Sequence, residues 1–167
     1  DVGLFIEADR AADPARPALD GEPHYEGIPI GFYLQGVHPA LRFDDYDARQ
    51  AAWWAMLAGA CGHTYGNNNI WQMYDEGWDP MIRADTPWHE AMHHPGARQM
   101  GHMRSLLERV GWHRLEPAPR GSDFLVDAPP SGPAKVRAAI RDDGGAALVY
   151  SPEGAQFTLQ LGALRER

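Results

Sequence analysis

The sequence predicts a mixed α/β chain of 167 residues built from two unlike parts. Three observations carry that prediction. Strand-like and helix-like patterns alternate up to residue 114, the order expected of parallel α/β units. Prolines at 117, 119, 129, 130 and 133 then punctuate the chain as a linker. Beyond them lie short apolar runs separated by turn signals, the pattern of an antiparallel meander. The expected organisation is an α/β part over 1–114, a linker over 115–133 and the start of a β-sandwich over 134–167. Three strands rarely make a stable β domain by themselves, so the chain reads as cut at both ends.

The elements follow in order. Residues 4–12 read as a helix end, broken by Pro14 and Pro17. Residues 17–22 form a short buried strand with a polar end, closing on Glu22. Asp44 or Asp45 caps a helix with its body over 48–60. Its buried face is Ala51, Trp54, Ala55 and Ala58, and Gly59 or Gly62 ends it. Trp53 and Trp54 sit mid-helix and read as packing residues rather than ligand contacts. Residues 61–65 form the next strand, and a loop rich in Trp, Asp and Pro occupies 67–95. The clearest helix spans 97–110, with Met100, Met103, Leu107 and Val110 at helical spacing and Gly111 as its stop. In the last part, Val136/Ala138/Ile140, residues 147–150 and Phe157/Leu159/Leu161 alternate as strands. Asp143-Gly144-Gly145 and Pro152-Glu153-Gly154 are the turns between them.

Composition narrows the partners. Hydrophobic residues at 44% and aromatics at 10% suit a packed core. A net charge of −8 with no Lys/Arg run makes nucleic acid and anionic membrane poor partners. The one cysteine, Cys61, forms no internal disulfide framework and leaves the compartment open. No run of about 18 apolar residues is present, so no membrane span is expected. The chain opens on Asp1 without a visible signal peptide, which carries no weight if a longer protein precedes it.

Residues 62–71, Gly-His-Thr-Tyr-Gly-Asn-Asn-Asn-Ile-Trp, are the densest chemistry in the chain. They hold a His, two large rings, three adjacent amides and almost no aliphatic content. Amides beside flat rings suit a pocket for a polyhydroxylated ligand, the amides meeting hydroxyls and the rings stacking on the sugar face. An Asn/Gly turn that merely ends a strand is the alternative.

With Gly21-Glu22-Pro23-His24-Tyr25-Glu26-Gly27 upstream of that stretch, and Trp88…Pro95-Gly96-Ala97…Gln99-Met100 after it, the chain closely resembles the apiosidase-like glycoside hydrolases. The resemblance runs from about residue 10 to 161. It implies a TIM-barrel enzyme, with 1–114 as the C-terminal part of a (β/α)8 barrel and a small β domain labelled collagen-binding after it. The strand ending at Glu22 would be the seventh and the one ending near Tyr65 the eighth. A whole barrel needs about 250 residues, so this chain cannot contain one. The expected substrate is an oligo- or polysaccharide of plant type, with no cofactor; the family resemblance favours a secreted or periplasmic setting and leaves a cytoplasmic one open. This stretch alone is expected to be inactive.

Retaining glycosidases use two carboxylates, a nucleophile and an acid/base, and barrel enzymes mount them at the C-terminal ends of strands. By resemblance to related barrel hydrolases, whose seventh strand ends in a catalytic Glu, Glu22 is assigned the nucleophile role. A Glu that only caps a loop is the competing reading. The acid/base would lie on an earlier strand outside this chain. Tyr25, Glu26, His63, Tyr65, Asn67 and Trp71 are the candidate substrate-binding residues. Trp71 is the candidate stacking platform, although a core Trp would look the same. His63 and Tyr65 could bond the nucleophile or a ring hydroxyl, or be satisfied structurally. Glu26 could orient hydroxyls or form a salt bridge, and His24 could orient Glu22.

His89-Glu90-Ala91-Met92-His93 also matches the H-E-x-x-H pattern of zinc peptidases. Against it, Thr86 as N-cap and Pro87 as N1 place His89 in the first turn of a helix that Pro95 soon ends. Gln99 stands where the extended pattern has a third His. A non-catalytic binding piece is the remaining alternative. Nothing from 135 to 161 offers an aromatic platform or basic patch, and Tyr150 and Phe157 read as core.

Overall fold

The computed structural model describes residues 1–32, 36, 38, 40–118 and 124–165. Helix α1 (Val2–Arg10) starts on the side chain of Asp1, which accepts from the Gly3 N–H. Helix α2 (Asp45–Leu57) begins at Asp44, whose carboxylate caps Tyr46 and Asp47 while Asp47 returns a bond to the Asp44 N–H. This reciprocal cap satisfies backbone donors that a helix start otherwise leaves orphaned. Gly59 (φ 92°) takes the chain out of the helix. The expected face is buried: Ala51, Trp54, Ala55 and Ala58 all lie in the core.

Strands β1 (Leu19–Asp20) and β2 (Gly62–His63) pair in parallel, Leu19 with Gly62 and Asp20 with His63. The ladder is shorter than the strands expected over 17–22 and 61–65. Only the Cys61 N–H to Ala18 O bond and the Thr64 N–H to Asp20 O bond extend it. Helices α3 (Asn68–Trp71) and α4 (Trp88–Ala91) are single turns, and α5 (Pro95–Val110) ends at Gly111 (φ 73°) as the sequence predicts. Thr86 does not cap α4. Pro87 occupies that position, one residue later than expected, and the Thr86 hydroxyl turns to Asp85.

The second sheet corrects the expected meander. Its order is β3 (Leu115–Ala118), β4 (Arg137–Arg141), β5 (Ala147–Tyr150), all antiparallel. The 115–133 segment therefore begins as an edge strand rather than as linker. Pro117 is tolerated there because an edge strand needs bonds on one side only. Pro119 lies outside the described residues. The run Phe157/Leu159/Leu161 does not add to β5; it lies against 124–127, through Val126 N–H to Thr158 O and Gln160 N–H to Phe124 O.

Helix α2 joins the two parts. Ala52 and Leu57 pack with Met103 and Leu107 of α5 and with Leu115 and Ala139 of the sheet. Trp53 stacks on Tyr150 with ring centroids 5.7 Å apart. The Trp54 indole donates to the Lys135 carbonyl at 3.0 Å, and Gln50 donates to Pro133 O at 2.9 Å. Both tryptophans thus pack as expected, but against the C-terminal sheet and its approach segment.

The β4–β5 turn carries a titratable brace. Asp143 accepts from the Gly145 N–H at 2.9 Å and from Arg141 at 2.7 Å. The Gly145 amide, then the Arg141 guanidinium and the charge of Arg114, lower its pKa from 3.8 to about 2. A depressed carboxylate stabilises the fold above its unfolded value and loses that effect as pH falls through its folded value. Acid titration of the intact protein between these limits should therefore loosen this turn, read by amide exchange at Gly145. Asp143→Asn should flatten that dependence; an unchanged profile would remove Asp143 from the explanation.

Candidate active site

Glu22 lies two residues past the end of β1, exposed, where the chain turns into Pro23-His24-Tyr25. It lines a cleft of about 610 Å³ together with Tyr25 and Trp71. Trp71 is 44% exposed, and its indole N–H is held by Asn68 Oδ1 at 3.3 Å. That bond fixes the ring's orientation at the cleft. Tyr25 lies so close over Gly66 that a Cβ there would meet its ring at 2.5 Å. Only glycine admits that approach. The His24 ring stacks on Phe43 at 4.1 Å, 4° from parallel. Losing water on that face pushes the imidazole pKa down, against the opposing charge of Asp47.

Three of the seven candidate residues therefore share the cleft, and four do not. Glu26, 5% exposed, is buried instead. Its carboxylate accepts from the Tyr65 hydroxyl at 2.5 Å and from the Gly96 N–H of α5 at 3.1 Å. Burial and this bond raise the Tyr65 pKa, so the phenol stays a donor. Placing a carboxylate on the N-terminal amides of a 16-residue helix also matches the positive end of the helix dipole. Asn67 is the N-cap of α3, accepting from the Asn69 N–H at 3.0 Å, and its amide meets His94 Nδ1 at 3.0 Å. His63, its side chain 3% exposed, pairs with Asp20 at 2.9 Å across the β1–β2 ladder. Both His63 and Tyr65 face a separate groove beside α5.

The three-Asn run does a different task from the one its composition suggests. Asn67, Asn68 and Asn69 are all buried, and their amides staple the following loop. Asn68 donates to Ile82 O at 3.0 Å, and Asn69 Oδ1 accepts from the Asp85 and Thr86 amides at 3.0 and 3.2 Å. Arg42 adds bonds to Gly27 O at 2.6 Å and Arg83 O at 2.8 Å, with an ion pair to Asp85 at 3.0 Å. Together they fix the loop that brings Ile82 to the cleft. Phe32, Phe43 and Ile82 are cleft residues that sequence reasoning missed. They lie in loops, where no periodicity marks a side chain as facing a ligand.

The H-E-x-x-H stretch does not form a long helix. Helix α4 stops at Ala91, and His94 is engaged by Asn67. Among the described residues, no group of three His, Cys, Asp or Glu side chains is placed to hold a metal. Nor is any helix there long and apolar enough to cross a membrane.

The family model for the apiosidase-like catalytic domain matches residues 1–114. The chain belongs to the apiosidase-like family. Solved structures agree with a glycoside hydrolase relationship for this apiosidase-like chain. One described as a glycoside hydrolase is 31% identical with a TM-score of 0.76, over 86% of this chain and 31% of its own. A glycoside hydrolase family 5 protein from Bacteroides vulgatus is 28% identical with a TM-score of 0.88, over 99% of this chain and 35% of its own. The chain thus spans about a third of the length of these structures. No curated protein matches the sequence.

Proposed function

We propose that this apiosidase-like chain forms the seventh- and eighth-strand side of a (β/α)8 glycosidase that cleaves complex plant-type glycans by double displacement. Glu22 is the nucleophile, and the acid/base is a carboxylate outside this chain. The carrying observation is that Glu22, just past β1, and Trp71, in the α3 turn that follows β2, line one cleft beside the parallel β1–β2 pair. A carboxylate there can attack an anomeric carbon whose sugar ring rests on the indole face. Tyr25, which lines the same cleft with its ring against Gly66, supplies a hydroxyl that can donate to a sugar oxygen.

The buried Glu26–Tyr65–Gly96 knot supports the site from behind. It ties the loop after β1 to the exit of β2 and the start of α5. A nucleophile must be held to within a fraction of an ångström of its reacting geometry, which such a tie helps supply. Glu22→Gln in the full-length enzyme tests the proposal. Hydrolysis should fall to background while the melting transition is kept; retained turnover would move the nucleophile to another carboxylate.

A further inference from the structure

We propose that the cleft beside Glu22 receives a neutral aromatic ring carried by the substrate, a phenolic aglycone or an aromatic acyl ester on the sugar. This rests on the reading of the cleft as a glycosidase site. Its walls argue against a second bare sugar. Beyond the Trp71 platform its described lining is Pro23, Ile28, Pro29, Phe32, Phe43 and Ile82, with polar side chains, among the described residues, from Glu22, His24 and Tyr25. A pyranose presents several hydroxyls that each need a partner when buried, and unpaired ones are penalised. An aromatic ring needs none and gains from stacked and edge contacts with Phe32 and Trp71. Charge selects further: the Glu22 carboxylate and a chain of net charge −8 disfavour an anionic group.

Ile82 supplies an independent observation. It sits at φ 46°, ψ 40°, the left-handed region, where a β-branched side chain is disfavoured. Glycine would hold that backbone without strain. Yet this backbone is locked by Asn68 on Ile82 O and by the bond from the Met81 N–H to Gln72 Oε1, with Arg42 on Arg83 O. The locked loop presents an apolar side chain to the cleft at the expense of local comfort. That combination fits a wall kept for what it touches.

The test measures binding to the full-length enzyme carrying Glu22→Gln, by saturation-transfer NMR and titration. The probes are phenyl β-D-glucopyranoside, methyl ferulate and methyl β-D-glucopyranoside. The ring-bearing probes should bind at least tenfold more tightly than the methyl glycoside, and whichever of the two is tighter identifies aglycone or ester as the source. Ile82→Gly should weaken the ring-bearing probes about fivefold with the melting temperature unchanged or raised. Phe32→Ala should weaken them similarly, and Trp78→Ala, outside the cleft, should not. Equal affinity for all three probes, no binding of any, or indifference to both Ile82→Gly and Phe32→Ala would overturn the proposal. None of these readings depends on hydrolysis, so they fail separately from the assignment of Glu22.

Discussion

Glu22→Gly in the full-length enzyme should lower turnover by on the order of 10⁶-fold, the scale on which a hydrolase loses rate when its nucleophile is removed. Because Glu22 is exposed, its replacement should leave stability nearly unchanged, so the loss is read as chemistry. Sodium azide then separates nucleophile from acid/base. With the carboxylate gone, azide occupies the vacated space and bonds to the anomeric carbon as an activated phenolate leaves. The product is a glycosyl azide of configuration opposite to the substrate, with turnover restored in part. An azide of retained configuration would make Glu22 the acid/base. No rescue together with wild-type-like residual activity would remove it from the chemistry.

Gly96→Ala should be the most damaging single methyl in the described residues of the site. A Cβ at Gly96 would sit 2.3 Å from Glu26 Oε2 and 2.9 Å from the Tyr65 ring. Accommodating it means expelling a buried carboxylate from its two donors, a loss of about 2–4 kcal/mol. Gly101 is the internal control on the same helix, with nothing within 4 Å of its would-be Cβ. Gly101→Ala should instead stabilise by about 0.8 kcal/mol through helix propensity. The urea midpoints of the two variants of the intact protein should therefore move in opposite directions. If Gly96→Ala leaves the midpoint in place, the Glu26 knot does not hold these elements together.

The helices were legible because their signals are local. The Asp44 cap, the alanine face of α2 and the Gly111 stop act through neighbours three or four residues away, and each appears as written in the sequence. Strand partners were not, because pairing is decided across distance. Leu115–Ala118 looked like the start of a linker, since only Ala138–Arg141 opposite reveals it as a strand. Conversely, Leu159 alternates like a strand residue yet meets Leu125 in an isolated bridge. Among site residues, Glu22, Tyr25 and Trp71 meet in one cleft, whereas Glu26, Tyr65 and Asn67 bond one another and His94. Residue type could not separate these groups: a buried amide and a ligand-binding amide have the same donors and acceptors.

By itself the sequence determined the alternation of elements, the place of α2 and α5 with the stop at Gly111, and the family motifs around Glu22 and Trp71. Those depend on spacing along the chain and on the short-range chemistry of caps, turns and stops. The tertiary structure decided which polar groups face the cleft and which are consumed in holding it. It did so because a buried hydrogen-bonding group must find a partner, and that partner is fixed by packing between segments as distant as Glu26 and Gly96.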